Sequence, residues 1–65
     1  MEPYIRRMFD ERKQLAERLD KLEIFIEGSI FQGLPLAKQT LLVAQCVTMK
    51  AYLGILGQRI VLETN

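Results

Sequence analysis

Hydrophobic positions recur along the first half of the chain at alternating intervals of three and four. At about 100° per residue, Ile5, Met8, Arg12, Leu15, Leu19, Leu22 and Ile26 fall on one stripe. That is heptad spacing, with one basic residue in the seam. Of the 26 residues from Glu2 to Glu27, 13 are Asp, Glu, Lys or Arg. A helix half charged over a single apolar stripe has one buried face and one wet one. Pro3 suits a first helical position, where its missing N–H costs nothing. Gly28 supplies a stop. The pattern predicts a helix over residues 3–27.

The second half behaves differently. Pro35 restarts a helix in its first turn, and the helical pattern continues to about Glu63. Leu42, Cys46, Met49, Leu53, Leu56 and Ile60 share one face and are expected to meet the first helix. Ala44, Ala51, Ile55 and Leu62 gather on the opposite side, about 180–220° away. Only Lys38, Lys50, Arg59 and Glu63 are charged among the 28 residues from Leu36 to Glu63. A hairpin covers one of these faces, and the other requires another subunit. Residues 28–34 read as a connection with Phe31 tucked back as a plug. The expectation is a single all-α domain over residues 1–65, a two-helix hairpin assembling into a compact helical homo-oligomer.

Gly54 and Gly57 lie inside the second helix, where each costs about 0.5–1 kcal/mol relative to Ala. Close helix crossing at a subunit interface would offset that cost. A narrow ligand pocket against the bare backbone and plain tolerance are the other readings.

Size sharpens the need for a partner. With 65 residues and 7.5 kDa, one small domain buries a modest core alone. Cys46 is the only cysteine and there is no histidine, which removes an intramolecular disulfide, the usual zinc sets and the commonest neutral-pH base. Cys46 itself reads as a small buried apolar residue. Glu2, Arg6, Arg7, Asp10 and Glu11 occupy the stretch where a signal peptide needs an apolar core. The oily run Leu41–Leu56 is broken by Gln45 and Lys50 and falls short of the roughly 20 residues of a span. The expectation is a cytoplasmic protein with no membrane contact.

The residues offer little catalytic chemistry. Ser29, Thr40, Thr48 and Cys46 have no histidine base. Asp10, Glu11, Glu17 and Asp20 interleave with Arg and Lys as solvated carboxylates do, and no glycine-rich phosphate loop follows a strand. No enzyme activity, metal or cofactor is expected. Anion binding fits better. Tyr4, Arg7, Glu11 and Arg18 lie at wheel angles of about 0°, 300°, 340° and 320°, beside the apolar stripe. A tyrosine ring can stack on a base and guanidinium groups can hold phosphates. Tyr4 and Arg18 are about 21 Å apart along one helix, so they share a small ligand only if two subunits cross. The plain reading is a helix flank with rim salt bridges and Tyr4 over the core edge.

The order Tyr4-Ile5-Arg6-Arg7-Met8, Glu11, Leu15-Ala16-Glu17-Arg18-Leu19-Asp20-Lys21-Leu22 and Phe25-Ile26 carries a resemblance. Leu41-Leu42, Gln45, Met49, Tyr52, Leu56 and Arg59-Ile60 extend it through the second half. The chain resembles small phage proteins related to a crAss-like phage product, the family that contains anti-CBASS cyclic-oligonucleotide sponges. The resemblance covers residues 2–62. It implies a homohexamer that sequesters cyclic dinucleotides, and in some members cyclic trinucleotides, without cleaving them. The location implied is the cytoplasm of the infected bacterial host. It also implies an inter-subunit dinucleotide site using Tyr4 and Arg18, where the family pattern has lysine; Arg7, on the same stripe, is expected to add secondary electrostatic support. Arg59 is the candidate for a separate trinucleotide site.

A homo-oligomeric adaptor binding a protein partner through its charged first helix is the alternative. Long DNA or RNA fits poorly, because residues 1–27 carry six basic groups against seven acidic ones and the whole chain is only +1.

Overall fold

A computed structural model describes residues 2–65 as two long helices lying side by side, joined through a short third. Helix α1 spans Pro3–Glu27. The Glu2 carbonyl accepts the N–H groups of Ile5 and Arg6 at 3.0 and 3.1 Å, and Pro3 has no donor to satisfy. Gly28 ends the helix with its N–H on the Phe25 carbonyl at 3.0 Å. Its φ of −89° is open to any residue, so this stop does not use glycine's left-handed freedom.

The connection holds a single turn, α2, at Ser29–Gln32. Phe31 is half-buried and meets Phe25 edge-on, with ring centroids 6.4 Å apart and planes at 82°. Gln39 reaches back from the next helix. Its Nε2 lies 3.0, 3.2 and 3.0 Å from the carbonyl oxygens of Phe31, Gln32 and Leu34. An amide has two hydrogens for these three acceptors, so one is shared. The carbonyls left over where α2 stops are thereby satisfied from within the hairpin.

Pro35 is the N-cap of α3, with extended backbone (ψ 146°) and its carbonyl accepting from Lys38 and Gln39. Helix α3 therefore begins at Leu36, one residue later than the sequence pattern suggests, and spans Leu36–Thr64. Thr64 donates its hydroxyl to the Ile60 carbonyl at 2.7 Å.

The two seams meet. Ile5, Met8 and Leu19 of α1 are buried against Cys46, Leu56 and Ile60 of α3, and Leu56 is fully enclosed. Leu15, Leu22, Ile26, Leu42, Met49 and Leu53 are half-buried around them. Arg12 departs from the seam pattern, because its guanidinium is exposed. Its Nε lies 3.6 Å from where a Cβ would stand on Gly57. The Arg12 stem therefore passes over Gly57 within one chain, at a distance that a methyl group would also allow. Gly54 has nothing within 4 Å of its own Cβ position. Ala44, Ala51, Ile55 and Leu62 are all exposed, Leu62 at 79%. The fold is all-α, and the chain is a rod of 46 × 14 × 14 Å.

Helix α3 is long and apolar enough to cross a membrane by length and composition. The sequence pattern ended its oily run at Leu56, whereas the helix continues unbroken to Thr64. Helix α1 lies against it, however, and half of α1 is charged. Carrying that helix into hydrocarbon is prohibitive, so α3 within this hairpin does not act as a lone span.

Gln39→Leu keeps the bulk of the side chain and removes both donors. Chemical denaturation should show a loss of about 1–2 kcal/mol with unchanged helicity. Unaltered stability would show that water caps these carbonyls equally well.

Candidate functional site

One flank of the rod is polar and is built from both helices. On α3, Tyr52, Arg59 and Glu63 follow at intervals of seven and four, which keeps them on one stripe. On α1 the matching stripe holds Tyr4, Arg7, Glu11 and Arg18. Two hydrogen bonds join the stripes. The Tyr4 hydroxyl donates to Glu63 Oε2 at 2.7 Å. The Tyr52 hydroxyl donates to Glu11 Oε2. Each helix gives one phenol and one carboxylate, so the pairs fix the helices against sliding.

These carboxylates act on the phenols. The hydrogen bond to Glu63 raises the Tyr4 pKa above the ordinary 10.0, with desolvation and the charges of Glu63 and Glu2 adding to it. The bond to Glu11 raises Tyr52 in the same way, and the positive charge of Arg59 opposes it weakly. Arg59 therefore lies near enough to Tyr52 for its charge to be felt there.

Tyr4 is 46% exposed with its hydroxyl tethered, an arrangement that leaves ring surface for a ligand. Arg7 lies one turn further along and is exposed. Arg18 is also exposed but lies about 21 Å from Tyr4 along α1, so one copy does not bring these two residues together. Arg59 is on the same flank, across on α3. Among the described residues the one ion pair joins Lys50 Nζ to Glu23 Oε2 at 3.1 Å, on other positions. Arg7, Arg18 and Arg59 thus have no carboxylate partner there. The rim salt bridges of the plain reading are absent from these arginines, and their charge is available to an anion.

The opposite flank carries an open groove of about 970 Å³. Phe9, Arg12, Lys50, Gly54 and Val61 line it. Phe9 falls outside both the seam and the Tyr4 stripe, so heptad reasoning passes over it. Its wheel position, about 140° from Tyr4, is the signal that could have found it.

A protein-family model matches residues 2–62, nearly the whole chain. The chain belongs to the Sequestin family. No curated protein and no solved structure matches it. Sequestins are non-catalytic sponges associated with immune evasion, and membership supports a nucleotide-sequestering or scaffold role for this chain. Among the described residues, no group of three or more acidic or cysteine side chains is arranged to hold a metal ion.

The phenol–carboxylate pairs of this Sequestin make stability depend on alkaline pH. A raised folded-state pKa gives stabilisation that is complete below the unfolded value and lost as pH climbs through the folded one. Phenolate absorbance of both tyrosines should therefore rise above pH 10.0, and melting should weaken in that same range. Glu63→Ala should return Tyr4 alone to the ordinary range. Phenolates appearing at the ordinary value in the unmodified protein would contradict both bonds.

Proposed function

We propose that this Sequestin captures cyclic dinucleotides at sites shared between copies of a homohexamer, and cyclic trinucleotides at a separate position. It acts in the cytoplasm of the infected bacterial host and withholds the signal from an immune effector. The family match over residues 2–62 carries this reading. The geometry of the polar flank supports its details.

Tyr4 takes a base and not a phosphate. Its hydroxyl is already given to Glu63, whose negative charge repels a phosphodiester at that end of the rod. The ring face remains for stacking. Arg18 of a neighbouring copy meets a phosphate with paired donors, and Arg7 adds positive charge beside the ring. Arg59, next to Tyr52, is the cation for the trinucleotide position. No bond is made or broken, so specificity and capacity rest on binding alone.

A titration panel of cyclic di- and trinucleotides tests the reading. Binding should be stoichiometric, and mass spectrometry after denaturation should recover the ligand unchanged. Conversion that scales with protein concentration, or silence across the panel, would overturn it.

Single substitutions test the site. Tyr4→Ala removes a stack of about 1–3 kcal/mol, and Arg18→Ala a charged hydrogen bond of roughly 1.5–3 kcal/mol. Each should weaken dinucleotide binding by about one to two orders of magnitude with the oligomer intact. Unchanged affinity in both would remove these residues from the site.

A further inference from the structure

Helix α3 carries a second heptad seam that its own chain leaves uncovered. Ala44, Val47, Ala51, Gly54, Gln58 and Val61 repeat at intervals of 3-4-3-4-3, and every one is exposed. This seam is centred about 150° from the buried one. A helix with two such seams has the pattern of a middle helix with a partner on each side. Helix α1 is the first partner.

The surface area sizes the second. The single chain exposes 5080 Å². A compact monomer of 7.5 kDa exposes about 4250 Å², roughly 800 Å² less. The elongated rod carries that excess along its length, and it is of the order that one partner contributes to a standard interface, about 800 Å². The occupant must also be long and apolar, because the uncovered face runs along a 29-residue helix in a rod 46 Å long. The outer face of a second α1 is too charged to fit. A second α3 fits, since it presents the same seam and a two-fold contact is self-complementary.

Gly54 locates the crossing. A side chain there would meet nothing within 4 Å, so the chain's own packing does not require a glycine. Ile55 next to it and Val47 two turns back on the same seam are 52% and 62% exposed, so apolar side chains lie along the helix on either side of the bare backbone.

We propose that the α3 helices of two copies pack along this seam and come closest at Gly54. The proposal rests on the homo-oligomeric part of the function proposed above. It adds which helix and which residue form the contact, and the contact leaves the Tyr4 flank open to ligand.

Sedimentation without nucleotide is the test, so ligand binding does not enter its outcome. Gly54→Leu has room within its own chain and should keep helicity and the hairpin. In the assembly it should raise the concentration for half-association by about 100-fold. Gly54→Cys, in a Cys46→Ala background, should form a covalent dimer on mild oxidation, because a disulfide needs Cα atoms within about 7 Å. The cross-link decides the matter should Gly54→Leu fail to fold. Assembly of Gly54→Leu equal to that of the unmodified protein overturns this contact alone, as does an assembled Gly54→Cys protein that does not cross-link. A monomeric unmodified protein at micromolar concentration overturns the contact and the oligomeric function together. Flotation of the unmodified protein with lipid vesicles in place of self-association assigns the face to a membrane and overturns the contact.

Discussion

Two helices laid side by side cover one face of each, and α3 has two apolar faces. That constraint governs the molecule. Helix α1 is half charged and accepts burial along a single stripe, so it takes the inner seam of α3 and no more. The resulting core is thin, with Leu56 its one fully enclosed large side chain. A chain of this size gains little from such a core against the entropy of ordering itself. The outer face of α3 is where further burial is to be had, and the assembly proposed for this protein uses it.

The polar flank solves a different problem. A heptad seam of Leu, Ile and Met fixes which faces meet but tolerates a shift along the axis. The Tyr4–Glu63 and Tyr52–Glu11 bonds are directional and about two helical turns apart, so they select one register. The same pairs hold two aromatic rings on the flank that also carries Arg7 and Arg59, with Arg18 further along α1. A sponge needs only a preorganised surface of matching charge and stacking area, because it performs no chemistry on what it holds. The absence of histidine is no handicap for such a task.

The hairpin was legible in the sequence because burial writes itself as a period. Ile5 to Ile26 and Leu42 to Ile60 announce the two stripes, and the structure packs them together. Other features carry no period. Gln39 caps the α2 turn through a side chain that spacing does not single out among polar residues. Arg12 occupies a seam position yet ends exposed, with its Nε next to Gly57, a neighbour that becomes visible only when both helices are placed. Tyr4 and Arg18 were legible as chemistry, a ring and a cation on one stripe. Their carboxylate neighbours were not, since Glu63 lies 59 positions from Tyr4 and meets it only through the fold. The distance between Tyr4 and Arg18 follows from helix geometry alone, and it is what makes a second copy necessary to the proposed site.

Sharing of the site between copies is the central claim, and complementation tests it most directly. Tyr4→Ala and Arg18→Ala proteins are mixed, unfolded together, reassembled and titrated with a cyclic dinucleotide that the unmodified protein binds. The account predicts that a fraction of sites regains full affinity, each joining an intact Tyr4 from one copy to an intact Arg18 from another. A mixture that binds no better than either mutant alone, despite confirmed co-assembly, would contradict it.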